Sequence, residues 1–301
     1  MLSINKNRKA DKSLYNSASE DFIPVACHYD EQTLLTKNGE LIQTIQINGI
    51  NSERVSKKLF NLRGMVRDAI RNNIDSNNFA FWIHTVRRKT NLDDSAPYDK
   101  ILPANIHELW RKKNYWHDKF VNTLYISIIY DSAAMKTTNF RSLINSLFHN
   151  VVLDFQDKYL ADAHQRLNVA TNKILEHLVE YGAVKLGISF DKEHSYSDLL
   201  FLYRRIIHLN EDSCLVPISD LSSSLAAHQY AVGSDKIEII NESDKKFAAI
   251  LSIREYQNVS ADVLDSFLQL PVELIATEVF YFVDKRDVKS AFEDQDYILK
   301  V

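Results

Sequence analysis

Glycine and proline are scarce in this chain, at 6 and 5 of 301 residues. So few breakers leave room for long regular elements and argue against glycine-rich phosphate-binding loops. Cysteine is rarer. Cys27 and Cys214 stand far apart with no metal-type spacing, which argues against a disulfide framework and for a reducing compartment. No apolar run approaches the roughly 18 residues of a membrane-spanning helix. The longest, such as Leu124 to Tyr130, are strand-sized. The first 21 residues lack the apolar core of a signal peptide and read as a flexible polar arm. The chain is therefore expected to be cytosolic.

What is present is ordinary for a soluble globular protein: 45% apolar and 25% charged residues. Three hundred residues are enough to bury about three quarters of the unfolded surface. The net charge is −4, which disfavours nucleic acid as a partner of the whole chain. The charge is uneven. Residues 1–120 carry 19 Lys and Arg against 14 Asp and Glu, and the remainder carries 17 against 26. A basic first half suits an acidic partner or membrane surface, although chance and solvated helix faces are the plainer account of such a bias.

Asn38-Gly39 is the strongest short-range turn signal. It predicts a type I′ hairpin over Thr33 to Ile50, with Leu41, Ile45 and Ile47 on one face and Thr44 and Gln46 on the other. Gln43 interrupts the apolar face and is a candidate contact for a partner. A helix is expected after Ser52, with Val55, Leu59, Leu62, Val66 and Ile70 as its stripe. Phe79 to Val86 reads as a strand closed by Arg87-Arg88-Lys89, Ala104 to Phe120 as a helix, and Val121 to Tyr130 as a buried strand. Two helices broken near Asp157 are expected between Asn139 and Tyr181, with Gly182 as the C-cap.

Val184, Leu186, Ile188 and Phe190 alternate as one strand with a wet face. Ser197 and Ser219 read as helix caps. Lys236 to Ile240 and Phe247 to Ile253 read as a second hairpin, Ser260 caps a helix, Val272 to Val283 is a last strand, and Asp284 onward is polar and helical. The whole reads as α+β, with mixed, largely antiparallel sheets and hairpins packed by several helices. After the arm of residues 1–21, residues 22–301 form one domain. A loose boundary near Asp131 to Thr138 would divide it into 22–135 and 136–301.

No catalytic signature stands out. The one near match to a phosphate loop, Gly182 to Ser189, has Ile188 where the motif needs its lysine, and it reads as helix end plus strand. Cys27-His28 is a single pair that cannot close a metal site. His107-Glu108 lacks a second histidine at the right spacing. The stretch Trp110 to Lys119 interleaves aromatics with cations. Its plain reading is an amphipathic helix with Trp110 inward. Its functional reading makes Trp110, Arg111, Lys112, Lys113 and Trp116 docking residues for a partner, a lipid headgroup or single-stranded nucleic acid.

Four stretches together resemble the N-terminal domain of the type IV secretion and conjugation ATPases, the CagE/TrbE/VirB family. They are Phe22-Ile23-Pro24 with the Thr33 to Ile50 hairpin, Phe81 to Arg88, Phe120 to Tyr125, and the run Leu200 to Asp284. Ala249 to Tyr256, Leu264-Asp265 and Leu270-Pro271-Val272-Glu273 are the most similar parts of that run.

The resemblance implies a fold whose family members continue into a RecA-like motor, which carries the phosphate loop and uses ATP and magnesium. That motor would begin after Val301, so no cofactor and no catalysis are expected of these residues. The implied role is a docking and assembly domain, peripheral on the cytoplasmic face of the bacterial inner membrane. Its expected partners are inner-membrane subunits of a type IV secretion complex, its own copies, and a motor domain on another chain. The alternatives are a self-sufficient enzyme of unknown class, or a nucleic-acid-binding module using the Trp110–Lys119 face.

Overall fold

The computed structural model describes residues 20, 22–48, 55–74, 77–90, 101–114, 119–131, 154–191, 194–209, 212–217, 220–241, 245–252, 267 and 270–282. For residues 55–63, 101–102, 110–111, 113–114, 119 and 154–157 it describes the backbone alone.

The order is β1 (Val25–Asp30), β2 (Thr33–Thr36), β3 (Leu41–Ile47), α1 (Val55–Asn73), β4 (Phe79–Thr90), α2 (Ile101–Asn114), β5 (Lys119–Tyr130) and α3 (Asp154–Leu178). A 3-10 turn (Val179–Tyr181) ends α3. Then come β6 (Ala183–Lys185), β7 (Ile188–Phe190), β8 (Ser195–Ser197), α4 (Asp198–His208), α5 (Leu221–Leu225), β9 (Gln229–Val232), β10 (Ile237–Ile240), β11 (Lys245–Ala248) and β12 (Leu274–Tyr281). The α+β expectation holds, and every described strand pair is antiparallel.

One sheet organises the molecule. Its order is β1-β2-β3-β5-β4-β12, with β6 continuing beside β3 the row that β2 begins. Strands from both ends of the chain thus share it, since β12 pairs β4 over eight successive residues. On one face lie α1 and α3. The α3 stripe of Leu160, Ala163, Leu167, Ala170, Ile174 and Leu178 recurs every three or four residues and packs on Leu41, Ile45, Phe79, Phe81 and Ile128. On the other face α4 and α5 set Leu199, Leu202, Tyr203, Leu221 and Leu225 against Ile42, Ala80, Tyr125 and Ile129. Helices on both faces mean that β3 is covered twice, so it is buried almost throughout and does not alternate wet and dry.

The opening hairpin sits where Asn38-Gly39 puts it, but the turn is not type I′. Gly39 has φ 89°, while Asn38 does not have a positive φ. Gly39 N–H donates to Thr36 O at 3.1 Å, and Thr36 N–H donates to Glu40 O at 2.9 Å. This is a three-residue loop ending in a left-handed glycine. The Thr36 hydroxyl fixes it, accepting from Glu40 N–H at 3.0 Å.

Other expectations are corrected. Arg87 to Lys89 do not close β4; they continue it opposite Asn122, Val121 and Phe120. Phe120 therefore lies in β5, and α2 ends at Asn114. α3 is described from Asp154 and is continuous through Asp157, and the first of the two helices expected from Asn139 lies outside the described residues. The strand expected from Val184 to Phe190 is two strands, with Leu186 buried and Val184 and Phe190 exposed. It breaks at Gly187, where a Cβ would lie 3.2 Å from Glu31 O of the β1–β2 turn. Asp220 caps α5, accepting from Ser222 N–H at 3.0 Å, and β9 adds a third strand to the second hairpin. Gly182 ends the 3-10 turn at φ 67° and Ser197 caps α4, both as expected. The arm apart from Glu20, the Ser260 helix, and the segment after Asp284 lie outside the described residues.

Candidate interaction surface

The expected docking residues do not gather in one place. Gln43 faces the α1/α3 side of β3 and has no exposed surface. Its amide donates to Thr33 Oγ1 at 2.9 Å across the hairpin. It is a core residue, so it is withdrawn from the docking set: a strand covered on both faces buries whatever stands on it. Trp110, Arg111, Lys112 and Lys113 belong to α2. Of these the side chain of Lys112 is described; it is exposed and 2.7 Å from Glu108. Trp116 lies outside the described residues.

The position of α2 was not legible in its sequence. β4 and β5 pair over twelve residues, from Phe79 opposite Tyr130 to Thr90 opposite Lys119. Their neighbours stop earlier: β12 ends opposite Arg87 and β3 ends opposite Leu124. Beyond that line the sheet narrows to a two-stranded ribbon, and α2 is inserted at its tip. No described element packs extensively on α2. Ile106 is 59% exposed and Leu109 68% exposed, one helical turn apart. The ribbon root is fastened by Arg87, whose guanidinium lies 4.4 Å over the Phe120 ring and donates to Leu270 O at 3.0 Å and to Asn122 Oδ1 at 3.1 Å.

The two edges of the main sheet differ. β1 carries two register irregularities and is packed by α5, devices that blunt an edge. β12 pairs β4 in unbroken register, holds one charged residue (Glu278), and has no described strand on its outer side. Val279, Phe280 and Tyr281 are exposed there, as are Leu270 and Val272 just before it.

Titratable groups do converge elsewhere, in the interior. His208 stacks on His228 with ring centroids 4.1 Å apart, and Tyr230 Oη lies 2.5 Å from His208 Nδ1. His208 Nε2 donates to the Leu225 carbonyl, joining α4 to α5. Burial, then the neighbouring His228 and Arg204, lowers the His208 pKa to about 4. Burial does the same to His84, whose Nδ1 meets Thr277 Oγ1 at 2.9 Å. Burial, reinforced by Asp220, raises the Cys27 thiol to about 11. Such groups are neutral at pH 7, and the two imidazoles are enclosed. They tie helices and strands together. Among the described residues, no three His, Cys, Asp or Glu side chains are grouped to hold a metal ion. Gly182 to Lys185 cap a turn and pair with β3, so their backbone does not cradle phosphate.

Two family models match. Residues 32–137 match the N-terminal domain of the type IV secretion system ATPase VirB4/TrbE. Residues 184–301 match the CagE, TrbE, VirB family, component of type IV transporter system. The chain belongs to this VirB4/TrbE family. It is 21% identical over 270 residues to the type IV secretion system protein virB4 of Bartonella henselae, covering 89% of this chain and 34% of that protein. It is 25% identical over 280 residues to virB4 of Brucella melitensis, covering 89% of this chain and 33% of the relative. With the PtlC homolog of Bordetella bronchiseptica it shares 21% over 283 residues, covering 91% and 33%. The chain therefore spans about a third of the length of the VirB4 and PtlC relatives it matches.

Proposed function

We propose that this chain is the docking and assembly part of a type IV secretion ATPase. It holds a nucleotide-using motor against the inner-membrane subunits of the secretion complex, on their cytoplasmic face, and contains no nucleotide site of its own. The family membership supports the system. The observation that carries the docking role is the β12 edge: regular, nearly uncharged and apolar, where β1 is bulged and covered. Such an edge accepts an extended strand, whose backbone supplies the hydrogen bonds while Val279 and Tyr281 supply apolar contact.

The test is co-purification in detergent of the 301-residue chain with the inner-membrane subunits of its secretion system. Val279→Lys combined with Tyr281→Lys is expected to abolish recovery while leaving the thermal unfolding midpoint unchanged, since both side chains are exposed. Recovery equal to the wild type refutes the edge as the docking site. An equilibrium titration with ATP is expected to show no binding; micromolar affinity would overturn the claim that the nucleotide site lies elsewhere.

A further inference from the structure

We infer that the strand received by the β12 edge carries a lysine or arginine, and that Glu278 is the residue that selects it. The inference rests on the docking role proposed above and names the chemistry of the partner segment. Residues paired across neighbouring strands share a face of the sheet. On the α1/α3 face a row of isoleucines crosses the sheet, Ile45 opposite Ile126 and Ile126 opposite Ile83. The residue opposite Ile83 on β12 is Glu278. Its neighbours along β12 on that face are Ala276 and Phe280. An apolar row thus ends in a carboxylate at an open edge.

Glu278 is half-buried, and burial raises its carboxyl above the ordinary value. Among the described residues none gives that carboxylate a hydrogen bond or an ion pair. A charge pointing inward on an edge strand sometimes serves only to bar other strands. β12 lacks the devices that accompany such a role. It has no proline, its register with β4 is unbroken, and Val279, Phe280 and Tyr281 are exposed. Such an edge admits a strand and discriminates by one charge. A segment that sets an apolar or acidic residue beside Glu278 buries the carboxylate unpaired, which is costly. A lysine or arginine there pairs with it, while apolar residues two positions to either side cover Ala276 and Phe280. The intervening residues meet Thr277, Val279 and Tyr281 on the other face.

A second copy of this chain does not fit the edge. Its β12 holds no cation. β11, an edge strand with two lysines, uses both at home: Lys245 is 2.6 Å from Glu238, and Lys246 donates to Leu209 O. The occupant is an extended, basic-centred segment of another protein.

The experiment reads binding of the 301-residue chain to an array of overlapping peptides that covers the cytoplasmic segments of its inner-membrane subunits. Co-purification with those subunits in detergent is read alongside. The wild type is expected to bind a peptide with a lysine or arginine between apolar residues at alternate positions. Glu278→Gln should weaken that binding at least about tenfold, and Glu278→Lys should abolish it. Replacing the basic residue of the peptide by glutamate should abolish wild-type binding and restore binding to the Glu278→Lys variant. Glutamine keeps the size of the side chain and removes its charge, so an unchanged thermal unfolding midpoint verifies the fold.

Wild-type affinity in Glu278→Gln, capture of peptides without a basic residue, or absence of any bound peptide overturns the inference. If Val279→Lys with Tyr281→Lys loses co-purification while Glu278→Gln keeps it, the edge docks its partner without reading charge, and this inference alone fails. If both variants co-purify as the wild type does, the docking reading fails with it.

Discussion

His208 offers the sharpest quantitative test of the interior. Its Nε2–H donates to the Leu225 carbonyl, so the neutral ring must accept at Nδ1, where Tyr230 Oη stands at 2.5 Å. Protonation need not break this arrangement. Nδ1–H would donate to Tyr230 Oη, and the phenol would then donate to Ile207 O, 3.1 Å away. The cost of charging the ring is therefore electrostatic. It comes from burial first, then from the stacked His228 and from Arg204, with the favourable Leu225 hydrogen bond opposing them. Lys246, donating to Leu209 O, and Asp212 complete the charged surroundings of the pair.

The folded pKa is about 4, below the usual 6.5. The unfolded chain thus takes up the proton first, and stability falls as pH drops from about 6.5 towards 4. The full shift corresponds to roughly 3 kcal/mol, of which about 2 kcal/mol is lost between pH 6.5 and 4.5. Urea unfolding across that window should show His208→Gln losing about 2 kcal/mol less than the wild type. Glutamine retains an N–H for Leu225 but cannot titrate. Carboxylates titrate equally in both proteins and cancel. Parallel stability curves for wild type and variant would refute the assigned environment.

Two further outcomes test the frame. Gly39→Val forces a β-branched side chain into the left-handed region and should cost about 1–2 kcal/mol by urea unfolding. An unchanged stability would mean that the loop adopts another turn. Leu167→Ala removes a fully buried side chain at the α3–sheet interface and should cost about 2–5 kcal/mol; a loss below about 1 kcal/mol would mean that α3 is not packed as described.

Much of the fold was legible because its signals are local. Asn38-Gly39 located the hairpin, Leu160 to Leu178 located the α3 stripe, and Ser197 and Gly182 marked element ends. What failed depended on neighbours far away in the chain. β3 looked half-wet because Thr44 and Gln46 alternate with Ile45 and Ile47. Yet Thr44 meets Ser127 Oγ at 2.8 Å under α4, a polar pair that burial hides. Gln43 looked like a surface anomaly for the same reason. Gly187 broke a clean alternation because the β1–β2 turn passes over it. The Trp110 to Lys119 stretch stands out as a cluster in sequence, but its place in the fold depends on how far β4 and β5 extend. Only pairing partners set that length: the stopping points of β3 and β12 are tertiary facts.

That ribbon has a mechanical consequence. β4 and β5 are interior strands of the main sheet, and their twelve paired residues reach roughly 40 Å. A load applied at α2 along the ribbon runs parallel to the strands. It is borne by the whole hydrogen-bond ladder in shear, and β3 and β12 share it on either side. A sideways load meets only the two-stranded overhang. The overhang is therefore stiff along its strands and compliant across them.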